Sequence, residues 1–539
     1  MAEHHLAGKP APRSMLENIP RLVASYYTND PEKPVSFGTS GHRGTSRDGS
    51  FNETHIAAIA QAICEYRERK AITGPLYMGF DTHALSEPAF RTALEVFAAN
   101  HVETVIHRHN EYTPTPVISF LIIEYNKTRK TGLADGVVIT PSHNPPEYGG
   151  FKYNPPHGGP ADVDVTLWIQ DRANKLISSE KSGIKRMPYG KAMKTDAIHE
   201  QDFIAPFIHS LGQVIDMDVI RSEGIRIGAD PMGGAGTHYW KPLSERYGLN
   251  IEVVNPHVDP TFSFMTVDTD GLIRMDCSSP HAMSGLISMA DKFDIAWGND
   301  PDFDRHGIVC TDGLMNPNHF LSVAIYYLLQ NRPRWNDDLA IGKTLVSSSM
   351  IDKIVQGFGK KLYEVPVGFK WFVQGLLEGK IAFGGEESAG ASFLRMDGSI
   401  WTTDKDGFCM TLLAAEILAR TGKTPSDIYK QIIVPQYGDP YYKRSDGPIT
   451  DTQKNILKTL NPDSIKSSAI GGIPVSEVMT RAPGNQAPIG GVKVLLQDGS
   501  WAAIRPSGTE PKMKVYVESF GGEDFWQKMY DEILPLIFR

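Results

Sequence analysis

Three stretches of this chain share one grammar: a short apolar strand, a glycine- or serine-containing loop, a helix, and a second apolar strand. The first runs from Leu76-Tyr77-Met78-Gly79-Phe80-Asp81 through a helix over 88–100 to Thr104-Val105-Ile106. The second runs from Ile225-Arg226-Ile227-Gly228-Ala229-Asp230 through 238–247 to Ile251-Glu252-Val253-Val254. The third runs from Thr344-Leu345-Val346 through 351–358 to Leu362-Tyr363-Glu364-Val365. Each reads as a β-α-β unit, and such units build sheets with helices on their faces.

The end of the chain differs. Apolar runs at 493–496 and 501–505 flank the turn Gln497-Asp498-Gly499-Ser500, a hairpin signal. A strand over 512–519 and a helix over 525–537 complete a smaller antiparallel α+β unit. With 539 residues, at roughly 150 per domain, three or four domains are expected. The fold expected is α/β with four domains: three similar α/β domains with mixed or parallel sheets, a smaller C-terminal α+β domain, and an active site in the central cleft. The boundaries read from the pattern are an N-terminal extension over 1–37 with one amphipathic helix at 15–27, then domains over 38–200, 201–311, 312–434 and 435–539. The last boundary follows a long helix over 407–420, where proline and glycine cluster at 435–440.

Composition narrows the function classes. Hydrophobic residues make up 41% and charged residues 22%, enough apolar content for real cores. A net charge of −9 with no basic block argues against nucleic acid as a partner. Cys64, Cys277, Cys310 and Cys409 lie far apart, without metal-ligand spacing, and read as buried or half-buried thiols. No stretch reaches the about 18 apolar residues of a membrane span, and the N-terminus lacks the apolar core of a signal peptide. A cytoplasmic enzyme that meets no membrane is the expectation.

Four polar loops stand out. Thr140-Pro141-Ser142-His143-Asn144-Pro145 follows the strand Gly136-Val137-Val138-Ile139, placing Ser142 past a strand's carboxyl end, where open α/β sheets bind ligands. By itself it also reads as a capped turn. Asp300-Pro301-Asp302-Phe303-Asp304-Arg305 follows Ile295-Ala296-Trp297-Gly298. Its three carboxylates repel one another unless a cation neutralises them, and oxygen-only ligands suit Mg²⁺. A calcium EF-hand loop is excluded, because its glycine and glutamate positions hold Arg305 and Thr311. Gly384-Gly385-Glu386-Glu387-Ser388-Ala389-Gly390 offers carboxylates and a hydroxyl to a sugar on a glycine-rich loop, or else opens a helix; both readings stand at this point. Arg505-Pro506-Ser507-Gly508-Thr509-Glu510-Pro511-Lys512 makes a phosphate nest. Thr39-Ser40-Gly41-His42-Arg43-Gly44 is a further small cationic loop. The motif of a P-loop, a dinucleotide-binding strand–glycine turn and a G-x-S-x-G elbow are each missing.

Together the loops supply a nucleophile, a metal site, a sugar clamp and a phosphate nest. With these motifs in this order from Gly38 to about Ser519, the chain resembles the α-D-phosphohexomutase superfamily, and is most similar to its bacterial glucose-specific phosphoglucomutase branch. The resemblance implies that Ser142 carries a transferable phosphoryl group. It implies Asp300, Asp302, Asp304 and the phosphoserine at Ser142 as Mg²⁺ ligands, and Lys152 as general base. Arg43, His143 and Arg305 would surround the reacting phosphate. Glu386 and Ser388 would hold sugar hydroxyls, with Gly368 and Lys370 in a further substrate loop. Arg505, Ser507, Gly508 and Thr509 would hold the distal phosphate. The implied activity is interconversion of glucose 1-phosphate and glucose 6-phosphate, with glucose 1,6-bisphosphate as intermediate and activator, by a monomer or homodimer. A metal-dependent phosphatase and an inactive sugar-phosphate binder are the alternatives.

Overall fold

The computed structural model describes residues 3–38, 41–179, 182–465, 467–507 and 512–538. Thr39 and Ser40 of the first cationic loop, and Gly508 and Thr509 of the phosphate nest, lie outside the described residues. The chain divides into two compact units, Met1–Pro317 with Ser388–Thr424, and Asn318–Glu387 with Pro425–Arg539.

The first unit holds two sheets. In the larger, seven-stranded one, Asp135–Ile139, Leu76–Phe80, Thr104–His107 and Ile198–Gln201 run parallel in that order. Tyr148–Asn154 joins antiparallel beside Asp135–Ile139, then Gly41–Thr45, then Phe37–Gly38. The parallel strands are near-continuous apolar runs because helices cover both faces. Glu53–Arg69 is one such helix, opened by a capping box in which the Asn52 side chain accepts the His55 N–H and His55 Nδ1 accepts the Asn52 N–H. Arg43, expected in a loop, lies in the strand Gly41–Thr45, paired with Gly150. Glycine makes that pairing possible: a Cβ on Gly41 would come within 2.5 Å of the Phe151 carbonyl oxygen.

The second sheet has five strands. Ile295–Gly298, Arg226–Asp230 and Asn250–Val253 are parallel, and Gly307–Cys310 and Gly313–Leu314 follow antiparallel. The three-aspartate loop is therefore the connection between two antiparallel neighbours, Ile295–Gly298 and Gly307–Cys310. The N-terminal residues are built into this unit. Ala7 and Pro10 bridge to Val267 and Thr266, and Leu22 and Tyr26 of the helix Ile19–Thr28 are fully buried.

The second unit also holds two sheets. Leu362–Val365, Ala340–Thr344 and Ile381–Glu386 are parallel, in that order. From the last of these the chain turns into Gly390–Phe393, which counts with the first unit. The strand expected at 344–346 lies instead at Ala340–Thr344. Leu345 and Val346 are apolar because they pack, past the strand's end, against Trp501, Ala503 and Tyr516. The glutamate-rich segment opens no helix: Glu386 ends a strand and Ser388 sits in the following turn. The C-terminal sheet is antiparallel, in the order Tyr441–Pro448, Lys512–Ser519, Trp501–Pro506, Pro488–Leu496, Ile473–Arg481, Ala469–Ile470. The helix Gly522–Ile537 closes it with Trp526, Met529 and Ile533. No helix among the described residues is long and apolar enough to cross a membrane.

Candidate active site

Ser142 follows the strand Asp135–Ile139 in a left-handed conformation, φ 60°, and is 1% exposed. Such a backbone costs a non-glycine residue roughly 1–2 kcal/mol. Its N–H donates to Thr140 Oγ1 at 2.8 Å, and its hydroxyl donates to Asp300 Oδ2 at 2.8 Å. His143 Nδ1 is 3.3 Å from the same hydroxyl. The adjoining strand approaches because Gly150 carries no side chain; a Cβ there would fall 2.0 Å from the Thr140 carbonyl oxygen. That approach brings Lys152 onto the loops.

The aspartate loop is pinned from behind. Phe303, also left-handed at φ 58°, is fully buried between Asp302 and Asp304, with its ring 4.7 Å from that of Phe408 and 6.2 Å from that of Trp240. Burying a phenylalanine contributes about 1.5–3 kcal/mol, enough to offset the backbone strain. Thr115 holds the front: its N–H donates to the Asp302 carbonyl at 2.9 Å and its hydroxyl to Asp302 Oδ2 at 2.7 Å.

The three carboxylates present oxygens within 4.8 Å of one another, all buried. Asp302 Oδ2 accepts Lys152 Nζ at 2.6 Å, and Asp304 Oδ2 accepts Lys405 Nζ at 2.9 Å. Oδ1 of each of these two aspartates is buried without a hydrogen-bond partner. Burial and its two neighbours push Asp300 well above the usual carboxylate range. Burial acts the same way on Asp304, but Lys405 and Lys152 outweigh it and hold that carboxyl below its usual range. Burial and the charge of Asp304 also push Asp302 up, yet Lys152 leaves it lowered. Hard oxygen donors with two orphaned buried oxygens fit a divalent cation such as Mg²⁺, which Asp300, Asp302 and Asp304 could hold with Ser142 Oγ beside them.

Cationic groups crowd the rim. Arg305 Nε lies 3.7 Å from Asp304 Oδ1 and 3.9 Å from Asp300 Oδ2. Burial lowers the Arg43 pKa, and Asp302 is the strongest opposing influence. Burial and then Arg305 push His143 down to about 3, so its ring is neutral at pH 7. The turn carrying Ser388 abuts this group, since the Ala389 carbonyl accepts the His306 N–H at 3.0 Å. Thus Arg43, Ser142, His143, Lys152, Asp300, Asp302, Asp304, Arg305 and Ser388 all belong to the first unit.

Of the residues in the second unit, Glu386 and Gly368 are joined: the Gly368 N–H donates to Glu386 Oε1 at 3.0 Å. Lys370 opens the helix Lys370–Leu377. Arg505 lies near the end of Trp501–Pro506, its Nε buried without a partner, and the Ser507 N–H donates to the Lys512 carbonyl at 2.8 Å. Lys405 and Thr115 are the contributors that sequence reasoning missed. The signal for Lys405 was the polar run Thr402-Thr403-Asp404-Lys405-Asp406 just before a buried helix.

Four models of phosphoglucomutase/phosphomannomutase domains match in order: α/β/α domain I over 34–180, domain II over 205–313, domain III over 316–435, and the C-terminal domain over 473–533. A phosphoglucomutase of Komagataeibacter xylinus is 56% identical over 520 residues, covering 95% of this chain and 93% of the relative. The chain belongs to the phosphoglucomutase/phosphomannomutase family. Its fold is the family's: three α/β domains with mixed sheets and a C-terminal antiparallel-sheet domain. Among solved members, pp63/parafusin, a phosphoglucomutase from Paramecium, superposes with a TM-score of 0.73 at 20% identity, over 94% of this chain and 95% of that one. The N-acetylphosphoglucosamine mutase of Aspergillus fumigatus, solved with GlcNAc-6P and magnesium, gives 0.56 at 14% identity, over 96% and 99%.

Proposed function

We propose that this family member is a phosphoglucomutase of the isomerase class, interconverting α-D-glucose 1-phosphate and glucose 6-phosphate through a phosphoserine at Ser142 and glucose 1,6-bisphosphate. One observation carries the reading. A serine hydroxyl lies 2.8 Å from Asp300 Oδ2, one oxygen of a buried three-carboxylate cluster, in a chain 56% identical over most of its length to a phosphoglucomutase. The functional domains are taken as 38–200, 201–311, 312–434 and 435–539.

In this reading the Ser142–phosphorus bond breaks as the free sugar hydroxyl forms its own bond to phosphorus. The bisphosphate then turns, and its other phosphoryl group returns to Ser142 Oγ. A bound Mg²⁺ supplies charge stabilisation on the transferring group. Asp300, Asp302 and Asp304 hold it; Arg43, Arg305 and neutral His143 face the phosphoryl oxygens. Lys152, held charged by Asp302 and Asp304, would act as base in its neutral form, giving its own proton to solvent first and then taking the proton of the sugar hydroxyl. Glu386, Ser388, Gly368 and Lys370 select the sugar, with glucose preferred over mannose. Arg505, Ser507, Gly508 and Thr509 grip the phosphate that is not reacting.

The test is glucose 6-phosphate formation from glucose 1-phosphate with and without trace bisphosphate. Stimulation by the bisphosphate is expected. Release of inorganic phosphate without any 6-phosphate would make the protein a phosphatase.

A further inference from the structure

Asp81, at the carboxyl end of the strand Leu76–Phe80, is fully buried and occupies none of the roles above. Its Oδ2 accepts the Thr140 hydroxyl at 2.6 Å, and Thr140 Oγ1 in turn accepts the Ser142 N–H at 2.8 Å. The same carboxylate oxygen is 2.8 Å from His83 Nδ1, while Asp81 Oδ1 accepts the His83 N–H at 3.0 Å and the Ser86 hydroxyl at 2.6 Å. The other ring nitrogen, His83 Nε2, lies 2.9 Å from the Asn144 carbonyl oxygen. A carboxylate and a carbonyl can only accept, so the buried ring donates from both nitrogens and is an imidazolium. One buried ion pair therefore grips the Ser142 loop on both flanks, at Thr140 and at Asn144.

We propose that Asp81 and His83 are positioning residues that, acting through Thr140 and Asn144, hold Ser142 in its left-handed conformation with its hydroxyl aimed at the aspartate cluster. Ser142 would otherwise relax toward the right-handed regions that a non-glycine residue prefers, and its hydroxyl would swing away. Prolines at 141 and 145 stiffen the loop; the Pro141 carbonyl accepts the Asn144 N–H at a long 3.4 Å, and neither proline hydrogen-bonds to Thr140. Charge-assisted hydrogen bonds are the stronger kind, which suits a clamp that must oppose strain. Displacing a reacting group by about 1 Å can cost about a hundredfold in rate. The inference rests on Ser142 being the phosphoryl carrier.

The test compares Thr140→Val, which keeps the shape and removes the hydroxyl link, with Thr140→Ser, which keeps the link. His83→Ala and Asp81→Asn serve as companions, and Ser142→Ala as control, all as full-length protein. Turnover number, KM for glucose 1-phosphate, phosphate on Ser142 by peptide mass, and melting temperature are read for each. Thr140→Val should lower the turnover number about ten- to a hundredfold with KM little changed, and Thr140→Ser should recover most of that loss. His83→Ala and Asp81→Asn should shift the turnover number in the same direction. If His83→Ala or Asp81→Asn fails to fold, the Thr140 pair decides. Wild-type turnover in Thr140→Val, an equal loss in Thr140→Ser, or a fall in melting temperature alone overturns the clamp. Absence of phosphate on Ser142 in the turning-over wild type overturns the functional reading instead, so the two failures are told apart.

Discussion

Lys152 Nζ lies 2.6 Å from Asp302 Oδ2 and 3.5 Å from Asp304 Oδ2, so one buried ammonium is shared by two of the three clustered carboxylates. Burial would push such a lysine down, yet the two aspartates outweigh it and hold its pKa above the ordinary value. This charge occupies oxygens that a metal would also seek. Lys152→Met should therefore tighten Mg²⁺ binding while slowing phosphoryl transfer by about 10²–10⁴-fold. Calorimetric Mg²⁺ titration beside turnover measurements checks both. An unchanged turnover number with a raised KM would make Lys152 a binding residue.

Asp302→Asn should act in the opposite sense on the metal. It removes one charge from the cluster and leaves Lys152 and Thr115 facing a neutral amide. Mg²⁺ affinity and turnover should fall together, and excess Mg²⁺ should restore part of the rate. Full activity of chelator-treated wild-type protein without added divalent cation would contradict the metal reading.

Much of this site was legible in the sequence, for a physical reason. Parallel strands buried on both faces read as apolar runs, and the loops at their carboxyl ends carry the polar residues, so Ser142 and Asp300 stood out against their strands. Three acids at alternate positions, 300, 302 and 304, have few uses other than a cation. The polar run at 402–406 set Lys405 apart but not its role, because its partner Asp304 lies a hundred residues away in the chain and only the fold joins them. The strand Ala340–Thr344 was misplaced because its centre holds Gly342 and Lys343. Lys343 is fully buried, ion-paired with Asp352 and 3.8 Å from Glu364, a pairing invisible to apolar pattern. The edge strand Tyr441–Pro448 escaped notice because most of it is exposed or half-buried.

Glu386, proposed above to hold a sugar hydroxyl, accepts the Gly368 N–H at 3.0 Å. Glu386→Gln keeps the shape and an acceptor but loses the charge. KM for both glucose phosphates should rise about tenfold, consistent with a charge-assisted hydrogen bond of about 1.5–3 kcal/mol, with Mg²⁺ affinity unaltered. Equal loss toward glucose and mannose phosphates would remove Glu386 from sugar selection.

Arg505, with its Nε buried and unpartnered, should act on substrate affinity alone. Arg505→Ala should weaken glucose 1-phosphate and glucose 6-phosphate alike, about ten- to a hundredfold, since in the proposed reaction each phosphate would occupy the distal site in turn. A lowered melting temperature with unchanged KM values would make it a strand-end residue of the sheet and nothing more.

Asp230 ends the strand Arg226–Asp230, accepting the Met232 N–H at 2.8 Å and the Asn255 amide at 3.0 Å. Burial outweighs these bonds and raises its pKa from 3.8 to about 6. The folded state thus binds this proton more tightly than the unfolded one, so the stability contributed is present at low pH and lost as pH rises through about 4 to 6. Asp230→Asn should remove that loss. Between about pH 4 and pH 7 the variant should gain about 2 kcal/mol on the wild type in denaturant unfolding. Parallel curves for the two proteins would contradict a raised Asp230.

Phosphoryl transfer through Ser142, as proposed, is tested by peptide mass mapping of the protein after incubation with Mg²⁺ and glucose 1,6-bisphosphate, then again after excess glucose 6-phosphate. One phosphate should appear on the peptide containing Ser142, be discharged by the sugar phosphate, and never form on Ser142→Ala. A protein that interconverts the two glucose phosphates while that peptide stays unmodified, or a Ser142→Ala variant that still turns over, would contradict it.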